Sequence, residues 1–408
     1  MKKPDLISVA LLMLLCSLAA ARARAQDAPP DPSQAARVRL GPLALSPTIA
    51  LTNAGVDDNV FNDPADASPK SDFTMTLEPR TDIWLHIGRS MLTSTIVEDL
   101  VYYQTYTNQR SANNNDKVGL LVPLTRVIFN ANAGYVNAKD RPGFEIDARV
   151  QHTDISYDGS VELRALSKTF LGVKATHTHV TYDQAAAFDG ANLQNELNRT
   201  SDEVDVTLRH QLTPLTSLTF DAGKRQDRFE FDHLRDADST VIDAGVKFDP
   251  FALIKGSARF GYRDFKPLVA GLPGFQGATA AVDLSYVAGG ATKLSALVAR
   301  DVQYSYDVNQ PYYVQTGVDF TIAQQIFGPV DIVGRVGVQN LDYRDRAGAA
   351  VLVASRTDVV HSYGGGIGYH FGRDVRIGFN IDHYSRTSDI AARKYDDLRY
   401  GTAVTYGF

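Results

Sequence analysis

Residues Leu398 to Phe408 read LRYGTAVTYGF, and this stretch alternates between two kinds of residue. The even positions from 398 to 408 are mostly large and apolar, whereas the odd positions are small or polar. A period of two predicts a β-strand whose two faces meet different surroundings. The segment therefore predicts a strand with one apolar and one polar face, ending on an aromatic residue.

A final strand of this kind resembles the closing strand of Gram-negative outer-membrane β-barrels, which typically ends in phenylalanine after apolar residues at alternate positions. The resemblance implies a location in the cell outer membrane, with membrane lipids against the apolar face. It also implies that Val404, Tyr406 and Phe408 form an assembly signal that the barrel-assembly machinery recognises.

The first 25 residues agree with export from the cytoplasm. Basic residues come first, then an apolar run, then an A-x-A triplet that ends at Ala25. This order predicts a secretory signal peptide over 1–25, because a membrane anchor would need a longer apolar run. Cys16 lies inside this segment and is the single cysteine of the chain, so we expect no disulfide in the mature protein. Residues 26–41 would then form a short periplasmic N-terminal segment.

Composition excludes some classes of protein. The chain has 408 residues, 44% of them hydrophobic, and a mean hydropathy of −0.18. After the signal peptide no apolar run reaches the roughly 20 residues of a transmembrane helix. Removing 1–25 leaves 37 basic residues (41 − 4) and 46 acidic residues (47 − 1), a formal charge of −9. This charge argues against a nucleic-acid partner, since phosphates call for a basic surface.

Strand-like segments recur at even spacing along the rest of the chain. Residues 42 to 408 (408 − 41 = 367) give about 20 residues for each of eighteen strands and its connection. That length fits tilted membrane strands of ~9–11 residues with extensions beyond the bilayer. The predicted strands are 42–60, 71–87, 90–107, 116–124, 126–138, 153–166, 169–183, 200–212, 217–231, 239–249, 253–266, 275–288, 292–306, 311–326, 330–346, 356–371, 374–388 and 396–408.

The connections alternate between short and long. Tight turns lie at 88–89, 124–125, 167–168, 213–216, 250–252, 289–290, 327–329 and 372–373. Longer polar loops lie at 61–70, 108–115, 139–152, 184–199, 232–238, 267–274, 307–310, 347–355 and 389–395. Short turns on one side and long loops on the other are typical of outer-membrane barrels. We therefore predict an all-β fold, a transmembrane antiparallel β-barrel of about eighteen strands over 42–408 with periplasmic tight turns and no plug domain.

Energetics decides which face of each strand meets lipid. Val336 and Val338 alternate with Arg335 and Gln339, and the same pattern recurs in other strands. An Arg or Lys on the lipid side at the bilayer midplane costs roughly 2–4 kcal/mol. The apolar faces are therefore predicted to point outward and the charged faces inward. A soluble β-sandwich or propeller is the alternative, although no blade-length repeat is present.

The inward positions supply candidate pore-lining residues. A barrel of eighteen strands is wide enough for an aqueous channel, whose lining groups would select the solute. Alternatively, opposite charges pair across neighbouring strands and simply fill the lumen. The candidates are Asn130, Asn132, Lys174, Arg209, Asp243, Lys255, Arg259, Arg263, Asp283, Asp331, Arg335, Arg376 and Asp382, with Asp205 and Asp221 of the same kind.

Other features leave alternatives open. Loop 184–199 could fold inward as a constriction, although a surface loop is more common. Seven tyrosines could stack on sugars or, more simply, form an aromatic girdle at the membrane interface. They are Tyr102, Tyr103, Tyr106, Tyr304, Tyr306, Tyr312 and Tyr313.

An enzyme is not expected. His177 and His179 share a strand face, but no third metal ligand is evident near them. No nucleophile motif such as G-x-S-x-G occurs. The sequence therefore predicts no catalytic, cofactor-binding or metal-binding residue.

The segment GVDDNVFNDP, Gly55 to Pro64, closes the first predicted strand. Its Asp-Asp-Asn triplet suits either a calcium ligand set or, more simply, an Asx-rich turn. A strand that ends in this triplet, followed by even strands to a terminal Gly-Phe, resembles the putative β-barrel porin type 2 family. Members of that family often accompany exopolysaccharide or capsule export loci. The resemblance implies a periplasmic export protein and a polysaccharide as partners.

We therefore expect a channel, most concretely a conduit or accessory in exopolysaccharide export. A general or solute-specific diffusion porin and a structural, non-conducting barrel are the alternatives.

Overall fold

The computed structural model describes residues 31–249, 252–372 and 374–407. The predicted signal peptide over 1–25, the terminal Phe408 and parts of the turns at 250–252 and 372–373 lie outside these ranges. Within them the chain forms eighteen long strands, numbered here in chain order. They are β1 Leu43–Asp57, β2 Asp72–Ile87, β3 Ser90–Tyr103, β4 Ser111–Pro123, β5 Val127–Asp140, β6 Val150–Arg164, β7 Thr169–Tyr182, β8 Arg199–Thr213, β9 Thr216–Phe229, β10 Ala237–Phe248, β11 Ile254–Pro267, β12 Phe275–Ala288, β13 Thr292–Tyr304, β14 Tyr312–Phe327, β15 Val330–Arg344, β16 Thr357–Phe371, β17 Val375–Ser388 and β18 Tyr395–Tyr406.

The strands form one closed sheet. Each strand pairs antiparallel with its neighbours in the chain, and β18 returns to pair with β1. The closing ladder runs from Ile49 opposite Tyr406 to Asp57 opposite Arg399. Closure leaves no free sheet edge, which a strand in lipid requires because no water is present to bond its backbone. The predicted antiparallel barrel of eighteen strands is confirmed.

Two strand limits differ from the prediction by four residues or more. β3 ends at Tyr103 rather than at 107, because the Asp72 carboxylate accepts hydrogen bonds of 2.9 Å from the backbone N–H groups of Thr105 and Tyr106. β4 begins at Ser111 rather than at 116. The polar start of β4 extends the wall above the apolar band, where a strand needs no hydrophobic alternation.

The outer surface is apolar, as the alternation predicts. Leu208, Phe220 and Phe260 lie in one cross-strand row on β8, β9 and β11 and are 38%, 45% and 61% exposed. Their sequence neighbours Arg209 and Asp221 point to the opposite face. Exposed apolar side chains in such a continuous belt are the surface that lipid covers.

Short elements complete the structure. At the end with tight turns, Val38–Leu40 pairs with Leu43–Leu45, and the Arg37 guanidinium lies 2.8 Å from the Asp374 carboxylate. At the end with long loops, a helical turn spans Leu193–Leu197. No helix in the described ranges has the length and apolar character needed to cross a bilayer.

The end of the barrel with long loops also contains a hydrophobic core. Ile146, Val180, Leu193, Leu197 and Tyr306 are buried against one another, although they come from loops and strands that are distant in the sequence. The barrel is therefore not an empty cylinder at that end, which is extracellular in barrels of this kind.

Candidate functional site: the bore and its extracellular bridge

The structure places the predicted lining residues on the inner face of the wall. Each lies between outward-facing neighbours in its strand and stands opposite at least one polar or glycine residue of an adjoining strand. They are Asn130, Asn132, Lys174, Arg209, Asp243, Lys255, Arg259, Arg263, Asp283, Asp331, Arg335, Arg376 and Asp382.

Many of the inward charges are paired with an opposite charge. Arg376 contacts Asp331 at 2.6 Å, and Arg335 contacts Asp382 at 2.9 Å. Arg263 reaches both Asp301, at 2.9 Å, and Asp227, at 3.4 Å. Each of these pairs reaches past an intervening strand, whereas the alternative interpretation of the charges placed the partners on adjacent strands. They reduce the field that a solute in the bore would meet at these positions.

One sector of the wall is different. Asp221 on β9 stands directly opposite Asp243 on β10, and Asp205 lies on the adjacent strand β8 opposite Lys174. Like charges directly opposite each other destabilise a sheet. A wet bore reduces this repulsion, because water screens charge far better than a protein interior does. The row therefore indicates an aqueous lumen.

Glycines on the inner face let polar side chains lie flat. A Cβ atom at Gly261 would overlap with a carboxylate oxygen of Asp243, and one at Gly364 would overlap with a carboxylate oxygen of Asp382. Only glycine leaves room for these side chains to lie along the wall instead of pointing toward the axis. Gly223 and Asp205 repeat the arrangement, as do Gly317 and Gln339. The result is a smooth wall that presents hydrogen-bonding groups.

The extracellular mouth is crossed by protein. We call the loop residues 141–149, 183–198, 230–236, 305–311 and 389–394 the extracellular bridge. Within it, the Ser305 hydroxyl donates a 2.6 Å hydrogen bond to the Glu145 carboxylate, and the Tyr306 N–H donates one of 3.3 Å. Their loops follow β5 and β13. Six strands (β7–β12) separate the two hairpins one way around the wall and eight (β15–β18 and β1–β4) the other. The contact therefore spans the bore.

Arg235, in the loop after β9, also binds the hairpin tip at Ser305 and Tyr306. Its side chain is fully buried, and its guanidinium donates hydrogen bonds of 3.1 Å to the backbone oxygens of Ser305 and Tyr306. It also contacts the Glu196 carboxylate at 2.7 Å. One arginine thus joins three loops.

A third set of contacts comes from the last hairpin. Arg386 donates a 2.6 Å hydrogen bond to Asp147, and Arg393 lies 3.2 Å from the same carboxylate. Arg393 also donates a hydrogen bond to the backbone oxygen of Glu145. Both arginines are more than nine-tenths buried. Buried ions of this kind are stable only when they are paired.

Loop 184–199, whose sequence is compatible with a constriction or a surface loop, contributes to the bridge. Leu193 and Leu197 are buried, and Phe188 packs edge-on against Tyr306 with ring centroids 5.0 Å apart. The Arg393 guanidinium lies over the Phe188 ring at 4.6 Å. The loop therefore packs inward.

The acidic residues of the bridge have shifted pKa values. Burial raises the pKa of Glu145 above its usual range, against the opposing effects of the Ser305 hydrogen bond and Arg393. Burial likewise raises the pKa of Asp147, although Arg386 and Arg393 favour its charged form. Desolvation is the larger effect in both cases.

The girdle interpretation is wrong for five of the seven tyrosines. Tyr103, Tyr306, Tyr312 and Tyr313 are more than nine-tenths buried, and Tyr304 packs between Phe229 and Phe265 inside the extracellular end. Loop residues fold over these rings, which the strand pattern alone does not reveal. The tyrosines that are exposed on the outer face are Tyr135, Tyr157, Tyr262, Tyr363, Tyr369, Tyr400 and Tyr406.

The Asp-Asp-Asn triplet joins the first strand to the last. Asp57 accepts a 3.0 Å hydrogen bond from the Asn59 N–H, which is an Asx turn. The fully buried Asn59 amide donates 2.8 Å hydrogen bonds to the backbone oxygens of Asp63 and Asp396. Asp58 accepts a 2.7 Å hydrogen bond from the Leu398 N–H. The triplet is a clasp on the seam between β1 and β18.

His177 and His179 lie near the extracellular rim on β7. His177 is hydrogen-bonded to Asp202 at 2.6 Å. In the part of the chain that the structure describes, no three histidine, aspartate or glutamate side chains are grouped to hold a metal ion.

The key bridge residues Glu145, Asp147, Arg235, Arg386 and Arg393 were not among the predicted site residues. A signal for an inward loop exists in the sequence. Leu193 and Leu197 are four residues apart in a polar loop, the spacing of one buried helical face. Nothing in the sequence indicates which distant loop would receive that face.

The chain is similar to one protein family and, distantly, to several solved structures. Residues 31–408 match the model of a family described as Putative beta-barrel porin 2. Pseudomonas aeruginosa OpdK, solved with vanillate, is 10% identical with a TM-score of 0.46, covering 89% of this chain and 98% of OpdK. OccK3 (OpdO) from the same organism is 12% identical with a TM-score of 0.43, covering 89% and 95%. A bacterial polysaccharide outer membrane secretin is 8% identical with a TM-score of 0.37, covering 89% and 98%. No curated protein sequence matches the chain.

Proposed function

The chain belongs to the family described as Putative beta-barrel porin 2, and on that premise we propose that it is a regulated channel for polysaccharide export across the outer membrane. The family and the fold both support a porin-like outer-membrane barrel. The export role is the specific part of the proposal.

The observation that carries it is the inner wall. Carboxylates and amides lie flat over glycines, as Asp243 does over Gly261, and many charges are neutralised within the wall, as in the pair of Arg376 and Asp331. Many sugar polymers are neutral and carry hydroxyl groups on every unit. Such a polymer can exchange hydrogen bonds with this wall at each step without strong ionic capture.

The extracellular bridge favours export over free diffusion. The contact between Glu145 and Ser305 crosses the mouth, so passage of a wide solute requires the loops to move apart. An export conduit that opens only when a polymer pushes through would keep the outer membrane sealed, and a bridge across the mouth suits that role.

Partners follow from this role. We propose a periplasmic export protein at the end with tight turns, a polysaccharide in the bore, outer-membrane lipids around the wall and the barrel-assembly machinery during biogenesis. The protein would act as a conduit without catalysis, and a cleaved signal peptide over 1–25 would deliver it to the Gram-negative periplasm.

Deletion of the gene tests the proposal. Loss of surface polymer with unchanged uptake of small solutes supports export. Normal polymer with reduced uptake supports a diffusion porin, the second candidate, which the acidic row of Asp205, Asp221 and Asp243 favours because it would attract cations. If neither changes, a structural barrel is the better description. Planar-bilayer conductance of the purified protein separates the channel candidates from the structural one.

A further inference from the structure

A cavity of about 310 Å³ opens into the bore beside the seam of the barrel. We call it the seam cavity; its lining includes Glu78, Asp99, Tyr103, Asn113, Asp140 and Arg149. Its volume lies at the lower end of the ~300–1,000 Å³ typical of small-molecule sites.

The wall is irregular where the seam cavity forms. β1 carries a bulge between Leu51 and Ala54, with Asn53 at a φ of +52°. The ladder between β2 and β3 is interrupted between the Leu77–Leu100 pair and the Arg80–Val97 pair. Bulges and breaks of this kind often re-aim side chains at functional sites. Here they bring Glu78 and Asp99 to the cavity.

Several lining groups have unused hydrogen-bonding capacity. Within the described ranges, one carboxylate oxygen of Asp99 and the Nε of Arg149 are buried and have no hydrogen-bond partner. Asn113 is nine-tenths buried and uses its carbonyl oxygen to accept a 2.9 Å hydrogen bond from the Lys139 N–H. Buried polar groups without partners are uncommon in folded proteins and call for a bound water, ion or ligand.

The charge of the lining narrows the class of ligand. Five acidic residues (Asp57, Glu78, Asp99, Asp140 and Asp382) and three arginines (Arg141, Arg149 and Arg399) give a formal charge of −2 (3 − 5). Arg399 contacts Asp57 at 3.2 Å, whereas Glu78 and Asp99 form no ion pair within the described residues. Asp382 and Asp140 are also paired, with Arg335 at 2.9 Å and with His152 at 3.0 Å, so an anionic ligand would be repelled chiefly by Glu78 and Asp99.

We infer that the seam cavity binds one non-anionic sugar unit, neutral or amino-bearing, of the polymer in transit. This inference rests on the proposed function and adds the substrate class. A sugar hydroxyl both donates and accepts, so it can bond to the Asp99 carboxylate as a donor and to the Arg149 guanidinium as an acceptor. The cavity would hold the chain against the wall below the extracellular bridge.

Calorimetry on the full-length folded barrel in detergent tests the inference with three probes: maltohexaose (neutral), a glucosamine hexamer (cationic) and hexagalacturonate (anionic). We expect at least one of the first two to bind, no binding of the third, and affinity about tenfold weaker, or ~1.4 kcal/mol, in Asp99→Asn. The matched control is Asp66→Asn, an exposed aspartate in the loop after β1 and outside the bore, which should bind as the unmodified protein does. Retention of the heat-modifiable band in gels confirms that both variants fold.

Three results would overturn the inference: no binding of any probe, preferential binding of hexagalacturonate, or equal binding by Asp99→Asn and the unmodified protein. Each leaves the export proposal standing if the deletion strain still lacks surface polymer. Conversely, sugar binding together with normal polymer in that strain would remove the export role and leave a sugar site in a diffusion porin.

Discussion

Ser305 donates a 2.6 Å hydrogen bond to Glu145 although their hairpins rise from nearly opposite sides of an eighteen-stranded wall. A hydrogen bond of this length requires both loops to reach the middle of the bore. The wall itself is closed, since every strand pairs with both of its neighbours. Opening of the extracellular end must therefore come from the loops, and the contacts of the extracellular bridge determine how easily they part.

Replacement of Arg235 by alanine should open the extracellular bridge. The change leaves the Glu196 carboxylate without its partner and removes two hydrogen bonds to the tip at Ser305 and Tyr306. Loss of one partner of a buried pair costs about 3–5 kcal/mol. We expect larger single-channel conductance in planar bilayers. Arg228→Ala is the matched control, because Arg228 pairs with Asp238 at a more exposed site; equal conductance of the two variants would contradict a role of Arg235 in closure.

Conductance should also rise with pH. Burial raises the pKa of Glu145 and of Asp147 in the closed state, so the closed state holds their protons more tightly than the open state does. The stabilisation of the closed state is complete below the usual carboxyl pKa of about 4.3 and is lost as pH rises through the raised values. Three arginines face the two carboxylates and limit the rise of their pKa values: Arg386, Arg393 and Arg356.

Bilayer recordings from about pH 4 to about pH 8 would measure this dependence. In Glu145→Gln, which cannot ionise, the rise should be smaller. A conductance that falls with pH, or a slope that Glu145→Gln leaves unchanged, would rule out this source of control.

The sequence was sufficient for the barrel because membrane strands follow a simple physical rule. In lipid, Val336 must face outward and its neighbour Arg335 inward, and the same rule orients most strands; β13 departs from it at Leu297, which faces the bore. The Asp-Asp-Asn triplet allowed two interpretations, since an Asx turn and a calcium site use the same side chains. The turn is what the structure has at Asp57 and Asn59.

The extracellular bridge could not be predicted in the same way. Its contacts join residues such as Glu145 and Arg393, which are far apart in the chain and belong to loops with no period. Tyr312 and Tyr313 illustrate the difficulty, because adjacent residues of a strand should face opposite sides but both are buried. Tyr312 packs with Phe265 and Val302, and Tyr313 packs with Leu341 and Tyr343, contacts that the alternation within one strand does not predict.

The seam clasp should contribute measurably to stability. Asn59→Ala removes two donated hydrogen bonds and one accepted from the Asp63 N–H, all in a buried site. Unsatisfied buried groups cost about 1–3 kcal/mol. We expect the heat-modifiable band to be lost at a lower temperature. Asn115→Ala, at an exposed position on β4, should leave that temperature nearly unchanged. If both variants lose the heat-modifiable band at the same temperature, the clasp does not stabilise closure of the barrel.

A leucine-to-arginine change should lower the unfolding free energy on the outer face of the wall but not on its inner face. Leu208 faces outward at the middle of the apolar positions of β8, whereas Leu297 faces the bore between Asp283 and Asp319 and is 48% exposed. In Leu208→Arg the charge enters the bilayer at a cost of ~2–4 kcal/mol. In Leu297→Arg it gains two carboxylate neighbours in water, so we expect little change in unfolding free energy, measured by urea titration in lipid vesicles. Equal destabilisation would mean that the wall does not separate lipid from a wet lumen at Leu297.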